Sequence, residues 1–217
     1  MRLTKFEQSG FILETDKGFR LAFDIGNKTS LEKLNGVKVD AVLISHIHGD
    51  HFCKENINTL SPRNIFVPNS CKQEIDKDRS FFDIVPHIWM IQESEEEFID
   101  PNNISFRVFS VDHGPNLSAP IQENFGFLIT ADNQTIYFAG DMFYESGIDV
   151  SNLEVDIALL PVGTFYTFGP EEAVAFAKKF KKIGKIIPMH YEKTPETREQ
   201  FIQLARAQGL NTDSSHS

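Results

Sequence analysis

The sequence predicts a layered α/β (α+β) protein. Short apolar runs that suit buried strands alternate along the chain with amphipathic stretches that suit helices. Several of these runs end in histidine or aspartate, which places polar side chains at strand ends. In layered α/β folds the loops that leave one end of the strands form the functional face. With 217 residues, 41% of them hydrophobic, the chain is long enough to bury a substantial core.

The first 25 residues predict strands joined by tight turns. Two apolar runs, Phe11-Ile12-Leu13 and residues 19–23, flank Asp16-Lys17-Gly18, which is typical of a hairpin turn. The second run ends in Asp24, and a buried aspartate at the end of an apolar strand needs a partner. Two interpretations are open: Asp24 accepts a hydrogen bond from a metal-bound imidazole, or it forms a turn before Gly26.

The strongest chemical pattern directly follows the apolar run 40–44 and consists of Ser45-His46-Ile47-His48-Gly49-Asp50-His51. Side chains alternate along an extended chain, so His46 and His48 lean to the same side. Gly49 then lets the backbone turn and brings the last two residues back towards them. Imidazole and carboxylate suit zinc, iron or manganese, and the spacing excludes the helical H-E-x-x-H geometry. The pattern predicts a metal site at the end of a buried strand.

The same placement recurs downstream. His113 follows a predicted strand over 104–111, Asp141 follows the second arm of a hairpin over 125–139, and His190 follows a strand over 185–189. Five imidazoles and two carboxylates at strand ends supply enough donors for two metal ions if one carboxylate bridges them. Helices are predicted at 52–60, from about residue 69, from Pro170 to a stop at Gly184, and from Thr194 to about Ala207.

On these residues the sequence resembles the metallo-β-lactamase fold superfamily of metal-dependent hydrolases. The resemblance covers nearly the whole chain, and it implies a four-layer αββα sandwich of two similar halves. One domain would span 1–217, with halves at roughly 1–103 and 104–210 and a flexible tail at 211–217. All seven ligand positions of the family pattern are filled, namely His46, His48, Asp50, His51, His113, Asp141 and His190.

The resemblance also implies how these ligands divide between two divalent metal ions. The first metal would be held by His46, His48 and His113, and the second by Asp50, His51 and His190. Asp141 would bridge the two ions. Zinc is the default for this donor set, and manganese or iron fits the same donors.

Within the superfamily the second half is most similar to the ascorbate-6-phosphate lactonase group and its metal-dependent hydrolase relatives. The similarity is carried by Ala139-Gly140-Asp141 and by residues 158–163, 168–173 and 187–191. The sequence departs from that group at Thr164-Phe165-Tyr166, where those relatives usually carry a second glycine and fewer aromatic residues. The departure concerns the substrate pocket and not the metal ligands.

These resemblances imply a hydrolase in which a metal-bridging hydroxide cleaves a small ester, lactone or phosphoester. Asp50 would orient the hydroxide and take up its proton. Tyr191 would donate a hydrogen bond to a developing oxyanion, or it simply packs beside the site. Phe165, Tyr166 and Phe168 form an aromatic loop. This loop would form a wall of the substrate pocket, or its residues would belong to the core or to an oligomer contact.

Other functions of the same fold stay open as alternatives. A thioester hydrolase of the glyoxalase II kind uses the same ligand types, but no basic cluster for a glutathione carboxylate stands out. Antibiotic hydrolysis is disfavoured because the β-lactamases of this fold carry cysteine or serine at the position of Asp141. An iron-dependent dioxygenase and a metal-stabilised scaffold without catalysis are the remaining classes. Cys53, two residues after His51, would enter the site only as a soft ligand or redox thiol.

The composition of the chain indicates which partners and which location to expect. A net charge of −10 repels polyanions, which disfavours nucleic acid, including the transfer RNA that ribonuclease Z binds, and favours a small-molecule substrate. No run of 18 apolar residues and no signal peptide is apparent, so no membrane span is expected. Cys53 and Cys71 are expected to be free thiols of a cytoplasmic protein. The oligomeric state is left open.

Overall fold

The computed structural model describes residues 1–82, 86–94, 97–100, 104–117, 121–144, 146 and 148–213. The chain divides into two compact units, Met1–Gln92 and Glu93–Ser217. Within the described residues, each unit contains one six-stranded sheet and two α-helices. The predicted mixture of α and β structure is confirmed.

The sheet of the first unit follows chain order. Its strands are β1 (Arg2–Lys5), β2 (Phe11–Glu14), β3 (Arg20–Phe23), β4 (Ala41–Leu43), β5 (Asn64–Val67) and β6 (His87–Met90). Strands β1, β2 and β3 are antiparallel neighbours, and β3 to β6 are parallel. The predicted hairpin joins β2 to β3, and Gly18 in its turn has a φ of +83°, which glycine adopts without strain. The parallel strands carry their carboxyl ends to one edge of the sheet, where the motif 45–51 follows β4.

Two helices cover a face of this sheet: α1 (Lys54–Leu60) and α2 (Asn69–Lys77), the latter followed by a 3₁₀ turn at Arg79–Phe81. Both helices were predicted. Their apolar side chains pack with alternate residues of the strands, because side chains alternate between the two faces of a strand. The resulting core includes Ile57, Leu60, Cys71 and Ile75 from the helices and Ile12, Ala22, Val42 and Ile65 from the strands.

The sheet of the second unit also follows chain order. Its strands are β7 (Glu97–Asp100), β8 (Ile104–Ser110), β9 (Phe125–Ala131), β10 (Gln134–Phe138), β11 (Glu154–Pro161) and β12 (Lys182–Met189). Strands β7 to β10 are antiparallel neighbours, whereas β10, β11 and β12 are parallel. The order of antiparallel strands followed by parallel strands therefore occurs in both units.

The helices of the second unit are α3 (Pro170–Ala177) and α4 (Pro195–Ala207). Pro170 occupies the first turn of α3, and the Glu172 carboxylate accepts a hydrogen bond from Gly169 N at 2.8 Å, which caps the helix. The prediction that this helix continues to Gly184 is wrong, because Lys182 already begins β12. None of the helices in the described ranges combines the length and apolar character needed to cross a membrane.

The predicted flexible tail covers residues 211–217, of which 214–217 lie outside the described residues. Thr212 forms a parallel bridge with Ile186 of β12. The backbone pairs on both sides of it, since Ile186 N donates to Asn211 O at 2.8 Å and Asp213 N donates to Ile186 O at 2.9 Å. Residues 211–213 are therefore held against β12.

Candidate metal centre

In the first unit the motif after β4 folds back on itself, as predicted. The amides of His51 and Phe52 both donate to the His48 carbonyl, at 2.9 and 2.8 Å. Asn27 N donates to Gly49 O at 2.8 Å, which ties the turn to the loop after β3. The turn therefore brings the three histidines of the motif close together, and the ring centroids of His46 and His51 lie 4.1 Å apart.

His46 and His48 present nitrogen atoms to a common point. His46 is fully buried, and its Nε2 lies 3.1 Å from Nδ1 of His48. Zinc–nitrogen bonds are about 2.0–2.1 Å long, so two ligands at a tetrahedral angle stand about 3.3 Å apart. The separation of these two nitrogens fits a shared metal ion.

Asp24 is in contact with His51, one of the three histidines of the motif. Its Oδ2 is 2.7 Å from Nδ1 of His51, and both residues are fully buried. Ligand atoms of Asp24, His46 and His51 all lie within 4.8 Å of one another. The distance of 2.7 Å is nevertheless too short for two atoms that bind the same ion, and it is an ordinary hydrogen bond. This hydrogen bond to an imidazole is the contact that the first of the two predicted interpretations of Asp24 requires.

Ser45 extends this contact to a second imidazole. Its hydroxyl donates to Asp24 Oδ2, and its backbone N donates to Asp24 Oδ1 at 2.8 Å. Since the hydroxyl proton goes to Asp24, Ser45 Oγ accepts from Nδ1 of His46, 2.9 Å away. Nδ1 then carries the proton in both His46 and His51, and Nε2 is the unprotonated nitrogen of each, the one that could bind a metal.

Asp50 has a partner that no sequence pattern indicated. Gln8, in the turn between β1 and β2, donates from Nε2 to Asp50 Oδ2 at 3.0 Å. Gln8 is 2% exposed and has a φ of +55°, the left-handed region that a glutamine rarely adopts. A buried amide in a strained backbone is a common feature of functional sites.

In the second unit Asp141 lies between two histidines. Its Oδ2 is 3.0 Å from Nε2 of His190 and 3.4 Å from Nε2 of His113, and all three residues are buried. Both separations are close to the 3.3 Å or so expected of ligands that share a metal ion. One carboxylate oxygen within reach of both imidazoles is an arrangement that fits a ligand shared by two ions.

The loops that carry His113 and Asp141 are tied to each other by a backbone contact. Phe143 N donates to Asp112 O at 2.8 Å, which joins the loop of His113 to the loop of Asp141. Asn124 Nδ2 donates to Asp141 O at 2.9 Å. The two loops are thus held to each other and to Asn124, the residue before β9.

His190 directly follows β12 and has a φ of +58°, so its backbone is strained. It is packed closely by Gly163, where a Cβ atom would lie 2.0 Å from the carbonyl oxygen of His190. The first unit has the same arrangement, because a Cβ atom on Gly26 would lie 2.0 Å from the carbonyl carbon of Asp50. In each unit a glycine allows one loop to pack closely against the backbone of a predicted ligand, Asp50 in the first unit and His190 in the second.

The remaining predicted site residues occupy different environments. Tyr191 is 8% exposed, and the Arg198 guanidinium lies 5.8 Å from its ring centroid. Phe168 is fully buried and packs on Phe176 of α3 with ring centroids 5.1 Å apart, so it belongs to the core. Cys53 precedes α1 and donates to Glu55 Oε2 at 3.3 Å. Burial raises the pKa of its thiol, which disfavours the thiolate that a metal would bind.

Residues 2–190 match the beta-lactamase superfamily domain. The chain belongs to this family. A UPF0173 metal-dependent hydrolase of Bacillus cereus (strain AH187) is 30% identical over 213 residues, which cover 93% of this chain and 88% of the relative. Igni18, a metallo hydrolase from Ignicoccus hospitalis, superposes with a TM-score of 0.76 and 25% identity over 97% of this chain and 93% of that one.

The metallo-β-lactamase fold protein YhfI from Bacillus subtilis superposes with a TM-score of 0.72 and 17% identity, over 97% of this chain and 89% of that one. The predicted metallo-β-lactamase fold is confirmed by these similarities. The donor set of this family member also suits divalent metals, because it consists of imidazole and carboxylate groups at separations close to those of shared ligands.

Proposed function

We propose that this metal-dependent hydrolase binds two divalent metal ions through its seven sequence-predicted ligands and cleaves a small ester, lactone or phosphoester. The observation that carries the proposal is the position of Asp141 Oδ2, 3.0 Å from His190 Nε2 and 3.4 Å from His113 Nε2. A carboxylate shared by two imidazoles is suited to join two ions. In this proposal His46, His48 and His113 hold one ion, Asp50, His51 and His190 hold the other, and Asp141 bridges them.

The bound metals would lower the pKa of a coordinated water towards neutrality and polarise the scissile carbonyl or phosphoryl oxygen. The protein supplies orientation and proton transfer. Asp24 and Ser45 hold His46 and His51 in the tautomer whose Nε2 binds metal. Gln8 fixes Asp50 Oδ2, so we assign Asp50 Oδ1 to metal binding and to uptake of the proton from the nucleophile.

Tyr191 is proposed to donate a hydrogen bond to the oxyanion that develops on the substrate. It follows His190 directly, and its ring is supported by Arg198. Zinc is the metal we propose, since imidazole and carboxylate are common zinc ligands, and manganese or iron would suit the same donors. We further propose a cytoplasmic location, because neither Cys53 nor Cys71 forms a disulfide, which suits a reducing compartment.

The test is elemental analysis combined with a substrate panel. We expect two equivalents of metal per chain, and hydrolysis of at least one among bis-p-nitrophenyl phosphate, a homoserine lactone and a simple ester. Hydrolysis should cease with a chelator and return on addition of zinc. A glutathione thioester and oxygen consumption by the iron-loaded protein are measured alongside. Thioester cleavage alone would favour the glyoxalase II-like alternative, and oxygen uptake without hydrolysis would favour the dioxygenase.

A further inference from the structure

The loop 164–167 is anchored to the two histidine-bearing turns of the second unit. It follows Gly163, which packs against His190, and Gly163 O accepts a hydrogen bond from Thr194 Oγ1 at 3.1 Å. On the other side the Phe165 carbonyl accepts from Nδ2 of Asn116, three residues after His113. The loop therefore lies between the turn of His190 and the loop of His113, next to the proposed metal ligands.

Backbone hydrogen bonds constrain this loop. Thr164 N donates to Phe168 O at 2.9 Å, and Thr167 N donates to Thr164 O at 2.8 Å, which closes a tight turn. Phe168 anchors the end of the turn in the core. Thr164 has a φ of +63°, which is costly for a β-branched residue. Strained residues of this kind persist where the surrounding structure holds them, and they are frequent at active sites and ligand-binding loops.

The turn presents two aromatic side chains outward. Phe165 is 62% exposed and Tyr166 is 39% exposed, and their rings meet edge to face with centroids 4.7 Å apart. The Lys193 ammonium, from the turn that follows His190, lies 5.6 Å from the centroid of the Tyr166 ring. The result is an apolar surface with a positive charge at one side, in a chain whose net charge is −10.

We infer that Phe165, Tyr166 and Lys193 form a subsite for the part of the substrate that does not react, and that this part is an aryl group with an anionic substituent. The inference rests on the proposed function, since it assigns the substrate class of the same centre. The aromatic rings offer faces and edges for stacking an aryl group. Lys193 offers a cation for a carboxylate or phosphate on that group.

The dimensions favour a small molecule over a protein partner. Stable protein interfaces bury at least about 1,000 Å², and two aromatic side chains with one lysine cover only a fraction of that area. A small ligand needs a few well-placed groups beside the reacting centre, which the anchored turn supplies. The subsite therefore adds binding energy at a distance from the bond that is cleaved.

The experiment compares three esters in the zinc-loaded protein: ethyl acetate, phenyl acetate and 4-carboxyphenyl acetate. We expect the double variant Phe165→Ala, Tyr166→Ala to raise KM for both aryl esters about five- to tenfold, with kcat and the ethyl ester unchanged. Lys193→Gln should raise KM about two- to fivefold for the carboxylated ester only. Trp89→Ala is the matched control, because Trp89 is 53% exposed but belongs to the first unit.

A second measurement does not depend on turnover. Binding of the product 4-hydroxybenzoate to the metal-loaded protein is measured by calorimetry, and it should weaken in the aromatic and lysine variants but not in Trp89→Ala. If the protein hydrolyses none of the panel, the proposed function fails, while weakened binding in the variants still supports the subsite. If hydrolysis proceeds and neither KM nor binding changes in the variants, the subsite is refuted alone. A change of oligomeric state in the aromatic variant, without a change in KM or binding, would instead assign the loop to contact between copies of the chain and overturn the inference.

Discussion

Asp24 Oδ2 and His51 Nδ1 lie 2.7 Å apart in a fully buried pair. The same oxygen accepts the hydroxyl proton of Ser45, and Ser45 Oγ in turn lies 2.9 Å from Nδ1 of His46. One carboxylate thus orients two imidazoles, one directly and one through a hydroxyl. Because it acts on the nitrogen opposite the proposed metal-binding one, it would favour metal binding without being a ligand itself.

Replacing Asp24 by asparagine should therefore weaken metal binding. The amide would turn an NH₂ group towards Ser45 N–H or His51 Nδ1–H, and one of these buried donors would lose its acceptor. We expect the dissociation constant for zinc to rise about 10- to 100-fold. Competition with a chromogenic chelator measures it, and circular dichroism verifies folding.

The control for this variant is Asp149→Asn, because Asp149 is an exposed residue that accepts a local hydrogen bond, from Ser151 N at 2.8 Å. Zinc affinity equal to that of the unchanged protein in Asp24→Asn would show that Asp24 is a turn former and not an orienting carboxylate.

Replacing Asp141 by alanine should uncouple the two proposed metal ions. Without the shared carboxylate, His113 and His190 lose the group that lies within 3.4 Å of both, so one ion is expected to bind and hydrolysis to fall at least about 100-fold. Elemental analysis and initial rates are the measurements, again with Asp149→Asn alongside. A variant that keeps two metals and full activity would refute the bridging role.

The Gln8 amide should matter for the position of Asp50. In Gln8→Glu a second carboxylate would stand about 3 Å from Asp50 and repel it, whereas Gln8→Ala only removes a hydrogen bond. We expect kcat to fall about tenfold or more in Gln8→Glu and less in Gln8→Ala, with KM little changed in either.

The matched control for Gln8→Glu is Gln73→Glu, because Gln73 is an exposed residue of α2 and the charge change is the same. Metal content is determined for every variant. If Gln8→Glu and Gln73→Glu behave alike, Gln8 has no part in positioning Asp50.

The placement of the candidate ligands after strands could be predicted from the sequence, because strand ends and metal-binding residue types are both local signals. His113, Asp141 and His190 each follow a run whose alternation or apolarity predicts a strand. Gln8 had no such signal, since its contact with Asp50 joins residues 42 positions apart and depends on the fold.

The end of α3 shows that a glycine alone does not predict where a helix ends. Gly184 was predicted to stop the helix, yet it lies inside β12, where a Cβ atom would stand 2.4 Å from Asp156 O on the neighbouring strand. The residue serves close approach of two strands and not a helix terminus. Thr164 is the opposite case. Its backbone has the left-handed conformation that usually predicts a glycine, but the residue is a threonine.

The contact of Gly163 with His190 gives a prediction about stability. In Gly163→Ala the new methyl group would stand 2.0 Å from the carbonyl oxygen of His190. Because this oxygen belongs to the backbone and not to a flexible side chain, the backbone has to shift to relieve the clash. We expect the free energy of unfolding in urea to fall by about 3 kcal/mol. Metal affinity should fall with it, since the backbone that moves carries a proposed ligand.

Gly36→Ala separates this clash from the general cost of replacing a glycine. Gly36 has a φ of +75° and nothing within 4 Å of the position of its Cβ, so the substitution adds backbone strain without a clash. It should cost about 1–2 kcal/mol and leave zinc affinity unchanged. Equal losses of stability in the two variants, with zinc affinity intact in both, would mean that the close approach of Gly163 does not hold His190 in place.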